Sequence, residues 1–248
     1  MNLGLHGRVA VVTGGSRGIG RATARLLAQE GAIVAITYHT NTSAAESLVH
    51  EIHDQGGQAC AVQLHLEAED SIYAAFESIC ARYGRVDVLV NNAFASKPAA
   101  DTATSSRHAW QTLYWYNIEG PYHVIEATLP SMRANRWGRI VNISSVLAVE
   151  GIPNFGWYAA AKSALHGLSR SLSRELGPFG ILVNVVMPGF TLTEDQPVRV
   201  SPHHIERVAA ELPLRRFPTP EEVASVIVFL ASPANRIITG EIVRASGG

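Results

Sequence analysis

The sequence has little charge, few cysteines and no long apolar run. Only 17% of its 248 residues are charged and the formal net charge is −1, so no basic field favours nucleic acid or an anionic membrane. Its two cysteines are too few for a disulfide framework, and we expect buried thiols in a reducing compartment. No apolar run is long enough to span a bilayer, and we expect no signal peptide before the first strand-like run. We therefore expect a cytoplasmic protein with neither membrane nor nucleic-acid partners.

The ten histidines raise the question of a metal site. His50 and His53 would share a helix face, and His203 and His204 are adjacent. Neither pair is accompanied by cysteine or carboxylate partners at the spacing of metal ligands. Solvated histidines are the better interpretation, and we predict no metal site.

Short apolar runs rich in β-branched residues alternate with helical patterns along the chain. Such runs are typical of buried parallel strands joined by helices. The alternation predicts a single α/β domain over 1–248, with a doubly wound, seven-stranded parallel sheet and helices on both faces. The predicted strands are 8–13, 32–37, 59–64, 86–91, 138–143, 181–186 and 240–244, and the predicted helices lie just after the first strand and near 43–55, 69–83, 105–134, 157–177 and 219–231.

A glycine-rich turn follows the first predicted strand. Gly14, Gly18 and Gly20 lie in the sequence GGSRGIG, immediately before a helical pattern. Backbone N–H groups and the positive end of a helix dipole attract an anion, and glycines let a pyrophosphate approach the backbone. The spacing differs from the GxGxxG dinucleotide fingerprint, so a structural turn without a ligand remains the alternative.

Tyr158 and Lys162 occupy positions i and i+4 of a predicted helix and therefore share a face. A tyrosine that exchanges protons at neutral pH needs its pKa brought down from about 10 to about 7, which costs ~4 kcal/mol. A lysine charge ~4 Å away supplies about 4 kcal/mol at an effective dielectric of ~20, while burial of the phenolate opposes it. The pair suits acid–base chemistry, although by itself a half-buried tyrosine beside a surface lysine is the commoner arrangement.

Six segments, in order along the chain, resemble the pattern of the short-chain dehydrogenase/reductase family. They are TGGSRGIG at 13–20, NNA at 91–93, Asn117, ISS at 143–145, YAAAK at 158–162 and VNVVMPG at 183–189. The resemblance covers essentially the whole chain. It implies a Rossmann fold that binds a nicotinamide dinucleotide and interconverts a carbonyl and an alcohol by hydride transfer.

The resemblance implies four catalytic residues. Tyr158 would exchange a proton with the substrate oxygen, and Lys162 would lower the pKa of that tyrosine while binding the nicotinamide ribose. Ser145, rather than its neighbour Ser144, would hold the substrate carbonyl, because it lies thirteen residues before the tyrosine as in the family. Asn117 would anchor a water that links Lys162 to solvent. The oxidised nicotinamide ring would add positive charge near the tyrosine.

The residues after the second predicted strand favour NADPH over NADH. Tyr38, His39 and Thr40 include no carboxylate that would bind the ribose hydroxyls of NAD or repel a 2′-phosphate. Arg17 resembles the family's basic residue for that phosphate. His65 replaces the usual aspartate after the third strand and would have to accept from the adenine amino group as a neutral imidazole. By resemblance, the other cofactor contacts are Gly14, Ser16, Gly18, Ile19, Gly20, Leu66, Asn92, Ala93, Pro188, Gly189, Thr191 and Thr193, besides Tyr158 and Lys162.

Aromatic and apolar residues near these positions predict a bulky apolar carbonyl substrate. Phe94 replaces the glycine that usually follows NNA, and it narrows the site near the adenosine ribose or the substrate mouth. The segment 189–219 lacks clear periodicity, and we predict that it is a lid over the substrate. The predicted pocket residues are Phe94, Ser96, Leu147, Phe155, Trp157 and Phe190.

The segments NVVMPGF and YAAAKSALHGLSRSL look like those of the 3-oxoacyl-[acyl-carrier-protein] reductases of fatty-acid and polyketide biosynthesis. In those enzymes, basic residues beside the entrance hold the acidic carrier protein. Arg133 and Arg136 suit that role, whereas Phe179 stands where a second basic residue is often found. The resemblance implies an NADPH-dependent ketoreductase of a free or carrier-bound substrate. It also implies a homotetramer joined through the helices near 105–134 and 157–177 and the C-terminal strand.

Other functions remain open. A secondary-alcohol dehydrogenase working in the oxidative direction would prefer NAD, so cofactor preference separates it from the ketoreductase. A non-catalytic NADP-binding sensor would usually lack Tyr158 or Lys162, and both are present. An enoyl reductase of related fold would typically space these two residues more widely.

Overall fold

The computed structural model describes residues 3–95, 106–193 and 202–248, with 202–204 described by their backbone alone. Its seven strands form one parallel sheet. In chain order they are β1 (Val9–Val12), β2 (Ile33–Tyr38), β3 (Gln58–Gln63), β4 (Val88–Asn91), β5 (Gly138–Ile143), β6 (Ile181–Pro188) and β7 (Ile242–Ala245). Across the sheet the order is β3-β2-β1-β4-β5-β6-β7. The order reverses between β1 and β4, and ligands of such sheets bind in the crevice at the carboxyl ends of the strands there. The predicted fold class is confirmed.

Helices cover both faces of the sheet. They are α1 (Gly18–Gln29), α2 (Thr42–Asp54), α3 (Glu69–Tyr83), α4 (Arg107–Tyr114), α5 (Gly120–Asn135), α6 (Leu147–Glu150), α7 (Gly156–Leu176), α8 (Pro202–Glu211) and α9 (Pro220–Leu230). A π-helical turn, Trp115–Glu119, joins α4 to α5, and a 3₁₀ turn, Gly177–Phe179, follows α7. Within the described ranges, no helix has both the length and the apolar character that crossing a bilayer requires.

Alternation along the strands separates two buried cores. In β1, Ala10 and Val12 face a core completed by α1, α2 and α9, whereas Val9 and Val11 face one completed by α3, α5 and α7. A slip of one residue in strand pairing would exchange the two faces of a strand. Because both faces are apolar and covered, the helices packed on each face fix the register. The strand ends at the crevice are therefore held in one arrangement.

Two segments differ from the prediction. The long helix predicted near 105–134 is interrupted by the π-helical turn, which apolar periodicity does not reveal. The segment 189–219, predicted without regular structure, contains α8. Proline is favoured at the first position of a helix, and Ile205, Val208 and Ala209 repeat at helical spacing, so this helix had a sequence signal that the prediction missed. The lid role of the segment remains a prediction.

Candidate active site

The glycine turn connects β1 to α1 at the crevice. Gly14 has a φ of +60°, and a Cβ there would lie 3.0 Å from Cα of Ala93. A Cβ at Gly20 would lie 2.5 Å from Nδ2 of Asn92. Any side chain at these two positions would push the turn away from the residues that follow β4. Glycine is therefore required here by close approach.

Thr13 and Asn92 hold this turn in place. Oγ1 of Thr13 accepts hydrogen bonds from the backbone N–H groups of Asn92 and Ala93, both at 3.0 Å. Nδ2 of Asn92 donates to the carbonyl oxygens of Thr13 and Gly14, at 3.0 and 3.1 Å. Asn92 and Ala93, predicted as cofactor contacts, thus brace the turn that would bind the cofactor.

The surroundings of the turn fit the pyrophosphate of a dinucleotide. α1 begins after Arg17, whose side chain makes no capping hydrogen bond, and its first turn contains no acidic residue. The backbone N–H groups and the dipole of this helix end favour an anion. Thr193 lies against the turn at Gly18, since a Cβ at Gly18 would be 3.1 Å from Cγ2 of Thr193. The other predicted contacts of this region lie in the turn or on the segment from β6 to Thr193; they are Ser16, Ile19, Pro188, Gly189 and Thr191.

The adenosine end of the predicted cofactor site contains a carboxylate that the sequence prediction missed. His39 and Thr40 follow Tyr38 at the end of β2, and neither is acidic. Glu67, however, reaches this position from beyond β3. Its Oε1 lies 3.1 Å from Nε2 of His39 and 3.6 Å from Nδ1 of His65. Because β2 and β3 are parallel neighbours, residues that follow them in distant parts of the sequence meet at the same edge.

Tyr158 and Lys162 lie near the start of α7. Lys162 is 3% exposed, and its Nζ donates a hydrogen bond of 2.9 Å to the carbonyl oxygen of Ile143 at the end of β5. The same Nζ lies 5.8 Å from the centroid of the Tyr158 ring. Burial raises the pKa of Tyr158 to about 12, although a hydrogen bond with Ser145 works to lower it. Burial also lowers the pKa of Lys162 to about 7.

Burial is the largest cause of both pKa shifts, and the role of the lysine charge in lowering the pKa of the tyrosine stays a prediction. Desolvation disfavours the phenolate and the ammonium alike. A pKa raised to about 12 keeps the Tyr158 hydroxyl protonated at neutral pH. The tyrosine therefore holds a proton that it can donate to a carbonyl oxygen.

Ser145 and Ser144 make different contacts. Ser145 hydrogen-bonds to the side chain of Tyr158. Ser144 is 4% exposed, and its Oγ donates to the carbonyl oxygen of Lys162 at 3.2 Å. The structure thus brings Ser145, the predicted carbonyl-binding residue, to the tyrosine and leaves Ser144 bonded to the backbone of α7.

Asn117 lies in the π-helical turn and is fully buried. Its Nδ2 donates to the carbonyl oxygens of Leu113 at 2.9 Å and Ala95 at 3.0 Å, whereas its Oδ1 accepts no hydrogen bond from the described residues. A buried oxygen without a donor is costly, so this atom suits the water-anchoring role that the sequence predicts. Nε1 of Trp115 donates to the carbonyl oxygen of Leu66 at 2.6 Å and ties the turn to the segment after β3. Such π-helical turns are frequent at functional sites.

The predicted substrate residues differ in accessibility. Phe94 is 55% exposed and its ring centroid lies 6.3 Å from that of Tyr158, so it lies beside the predicted catalytic tyrosine. Trp157 is 5% exposed and packs edge-on against Tyr158 at 5.5 Å, so it serves mainly as core. The ring centroid of Phe190 lies 5.0 Å from that of Phe217. Phe217 was not among the predicted pocket residues. Leu147 and Phe155 are half-buried at the starts of α6 and α7, and Ser96 lies outside the described residues.

The chain is similar to a protein family and to curated proteins over nearly its full length. A family model described as Enoyl-(Acyl carrier protein) reductase matches residues 14–248. The 3-oxoacyl-[acyl-carrier-protein] reductase FabG of Aquifex aeolicus (strain VF5) is 39% identical over 249 aligned residues, which cover 100% of this chain and 99% of that protein. The protein of the same name from Thermotoga maritima is 37% identical over 247 residues, 98% of each chain.

Two solved structures share the fold closely. A dehydrogenase/reductase from Sinorhizobium meliloti 1021 has a TM-score of 0.92 and 33% identity, over 100% of this chain and 96% of that one. A 7 alpha-hydroxysteroid dehydrogenase has a TM-score of 0.94 and 33% identity, with the same coverage. That structure is complexed with NADH and 7-oxo glycochenodeoxycholic acid.

Proposed function

Because the chain belongs to the short-chain dehydrogenase/reductase family, we propose that it is an NADPH-dependent ketoreductase of a bulky apolar ketone or a 3-oxoacyl thioester. Family membership makes it an oxidoreductase acting on CH–OH or C=O groups and supports NADP(H) as the cofactor. The observation that carries the proposal is the half-buried hydroxyl of Tyr158, hydrogen-bonded to Ser145 beside the exposed ring of Phe94.

Tyr158 is placed to act as the proton donor that reduction of a carbonyl requires. The nicotinamide, when bound, supplies the hydride. Tyr158 keeps its proton at neutral pH because burial raises its pKa to about 12, and a phenol that donates to the developing alkoxide acts as a general acid. Ser145, bonded to that hydroxyl, would hold the same carbonyl oxygen.

Lys162 and Asn117 would return a proton to the tyrosine after each turnover. With a pKa of about 7, the Lys162 amine accepts and releases a proton near neutrality. The unpartnered Oδ1 of Asn117 can anchor a water on the route to solvent. Both side chains are almost completely buried, so few other groups could carry a proton along this route.

The proposed preference for NADPH over NADH rests on the charges at the adenosine end. Residues 38–41 contain no acid, and Arg17 is exposed where α1 begins, so a 2′-phosphate would meet positive charge. Glu67 works against this, because its carboxylate lies 3.1 Å from His39. We expect a preference for NADPH that is smaller than Arg17 alone would produce.

The proposed substrate class rests on Phe94 beside the tyrosine and on an aromatic pair in the segment that follows β6. The exposed ring of Phe94 and the packed pair of Phe190 and Phe217 would bury an extended or ring-bearing group, at about 25 cal/mol per Å² of apolar surface. A small polar ketone would leave these rings in contact with water. The substrates named for the FabG relatives and for the steroid dehydrogenase are of this kind.

Delivery by an acyl carrier protein would be weak. Arg133 is ion-paired with Glu175 at 2.9 Å, and its guanidinium lies 5.1 Å from the centroid of the Phe179 ring. Arg136 donates to the carbonyl oxygen of Pro178 at 2.9 Å. Both arginines are exposed but already bonded within the chain, so an acidic carrier protein would have to compete with these contacts. Salt would also screen the attraction between the carrier and the arginines.

The proposal includes a homotetramer in the cytoplasm, assembled through α5, α7 and β7. On α7, Ala160 and Gly167 are exposed, and a Cβ at Gly167 would meet nothing within 4 Å. A partner helix could approach closely at these small residues. Light scattering at micromolar concentration should give four times the mass of the 26.7 kDa chain, and a strictly monomeric species would contradict the assembly.

The test is kcat/KM with NADPH across ketones and 3-oxoacyl thioesters of increasing size. Each thioester is presented with and without a carrier protein, at low and high ionic strength. We expect large apolar substrates to be reduced much better than acetoacetyl-sized ones, with a modest and salt-sensitive gain from the carrier. Preference for small polar ketones or sugars would contradict the apolar pocket. A thousandfold gain from the carrier that survives high salt would contradict weak docking.

A further inference from the structure

Two histidines and a glutamate converge at one point of the sheet edge. His39 follows β2, while His65 and Glu67 follow β3. One ligand atom of each residue lies within 4.8 Å of the other two. The nitrogens of both rings are directed at the same carboxylate oxygen, Oε1 of Glu67. The side chains are 36% to 49% exposed, so an ion from solvent can reach them.

The distances match those between ligands of a tetrahedral metal ion. Zn²⁺ binds histidine nitrogen and carboxylate oxygen at about 2.0–2.2 Å, so neighbouring ligand atoms of a tetrahedral site lie about 3.3 Å apart. The two nitrogen-to-oxygen distances here are 3.1 and 3.6 Å. The centroids of the His39 and His65 rings lie 4.6 Å apart, and the ring planes are inclined at 74°. Neither ring therefore covers the nitrogen of the other that would bind the ion. Two histidines and one glutamate form a known set of zinc ligands with a fourth position left open.

Neighbouring groups hold these side chains in position. The side chains of His39 and Tyr116 and the backbone of Glu67 hydrogen-bond to the Glu67 carboxylate. Gln63 Nε2 donates to the carbonyl oxygen of His39 at 3.0 Å. Second contacts of this kind orient metal ligands and commonly change metal affinity by about 10- to 100-fold.

We propose that His39, His65 and Glu67 form an inhibitory Zn²⁺ site whose occupation excludes the adenosine end of the cofactor. Binding of the ion needs only these three residues. The exclusion rests on the proposed function and on the sequence-based expectation that His39 and His65 contact the cofactor. A ring nitrogen that binds a metal ion is no longer available as a hydrogen-bond donor or acceptor, so the two ligands compete for the same atoms. This site departs from the sequence prediction of no metal, which considered only histidines close in sequence.

Metal binding is tested without cofactor. The full chain is treated with chelator and titrated with Co²⁺, followed by visible absorbance, and with Zn²⁺, followed by calorimetry. We expect the intense visible bands of four-coordinate Co²⁺, which Zn²⁺ then displaces. His39→Asn and His65→Asn should each weaken Zn²⁺ binding at least about tenfold, and Tyr116→Phe by about tenfold.

His50→Asn is the matched control, because it removes an exposed histidine of α2 outside the cluster and should leave Zn²⁺ affinity unchanged. Circular dichroism verifies that every variant is folded. Binding that survives the double variant His39→Asn, His65→Asn, or the lack of any Co²⁺ bands in the unmodified chain, overturns the site.

Competition is tested by titrating NADPH, followed by its fluorescence, at increasing fixed concentrations of Zn²⁺. The apparent Kd of NADPH should rise in proportion to Zn²⁺, and His65→Asn should abolish that rise. An unchanged or lower Kd in the presence of bound Zn²⁺ overturns the exclusion, while cofactor binding itself stands. Failure of NADPH to bind the metal-free chain would count against the proposed function, and the Co²⁺ titration would still decide the metal site.

Discussion

The two ends of the candidate cofactor site are built in opposite ways. At the catalytic end, Lys162 is 3% exposed and Asn117 is 0% exposed, and burial controls the pKa values of Tyr158 and Lys162. At the adenosine end, the side chains of His39 and Glu67 are 49% and 38% exposed and interact through water-accessible contacts. Both ends lie at the carboxyl edge of the same sheet, so the difference comes from what covers each strand end.

The comparison indicates how strongly each end responds to a change of charge. In a buried site, desolvation is larger than a single pair interaction, and removing or adding one group changes activity by orders of magnitude. In an exposed site, water screens each charge, and single interactions contribute about 0–1 kcal/mol. We therefore expect large effects of substitution around Tyr158 and modest ones around Glu67.

The largest expected effect is that of Tyr158→Phe, which removes one oxygen and little volume. Fold and NADPH binding should persist, while kcat falls by about 10²- to 10⁴-fold, as is typical when a general acid is lost. Steady-state kinetics and cofactor fluorescence measure the two quantities. Tyr73→Phe, which alters a tyrosine that is 39% exposed on α3, is the control. Near-normal turnover of Tyr158→Phe would contradict the assigned chemistry.

Lys162→Met sharpens the comparison through the pH dependence of stability. The folded pKa is about 7 and the unfolded one about 10.4, so between these values the unfolded chain carries a proton that the folded chain lacks. The free energy of unfolding of the cofactor-free protein should therefore rise with pH in this window, by up to about 1.4 kcal/mol per pH unit from this group. In Lys162→Met, the free energy of unfolding lacks this contribution to its pH dependence.

Chemical denaturation of both proteins, at equal concentration and at several pH values, measures the difference. Below about pH 7 both states bind the proton, and the two curves should run parallel. Curves that stay parallel up to about pH 10 would show that Lys162 is not desolvated as described.

His39→Asp tests whether the exposed end controls cofactor choice. The unmodified chain should prefer NADPH over NADH by at least about tenfold in kcat/KM, equivalent to ~1.4 kcal/mol. A carboxylate at this position would repel the 2′-phosphate and should erode or invert the ratio. His39→Asn, which removes the ring without adding charge, is the matched control. Equal use of both cofactors by the unmodified chain would show that Arg17 does not bind a phosphate.

The smallest expected effect is that of Glu67→Gln. The substitution removes a negative charge near the proposed phosphate position but keeps the shape of the side chain. The KM for NADPH should fall by about 2- to 5-fold, consistent with an exposed interaction of up to ~1 kcal/mol, and the KM for NADH should change less. The measurement is made without divalent metal ions. A change of a hundredfold would show that this end is as sensitive as the catalytic one.

The features that were predicted correctly from the sequence depend on residues that lie close together in the chain. The spacing of Tyr158 and Lys162 along one helix, and the glycine turn between β1 and α1, are local patterns, and the structure has both. The apolar strands were found to within two residues at most ends because β-branched runs are easily distinguished from turns. α8 was missed although its periodicity was present, and the π-helical turn around Asn117 left no apolar pattern to read.

The sequence by itself determined the order of the elements, the alternation that buries both faces of the sheet, and the positions of Tyr158, Lys162 and the glycines. Only the tertiary structure decided that Glu67 meets His39, that Phe94 lies against Tyr158, and that Lys162 is buried. The physical reason is that backbone geometry and apolar periodicity are properties of neighbouring residues. Desolvation and contacts between strand ends depend on which distant segments the sheet order brings together.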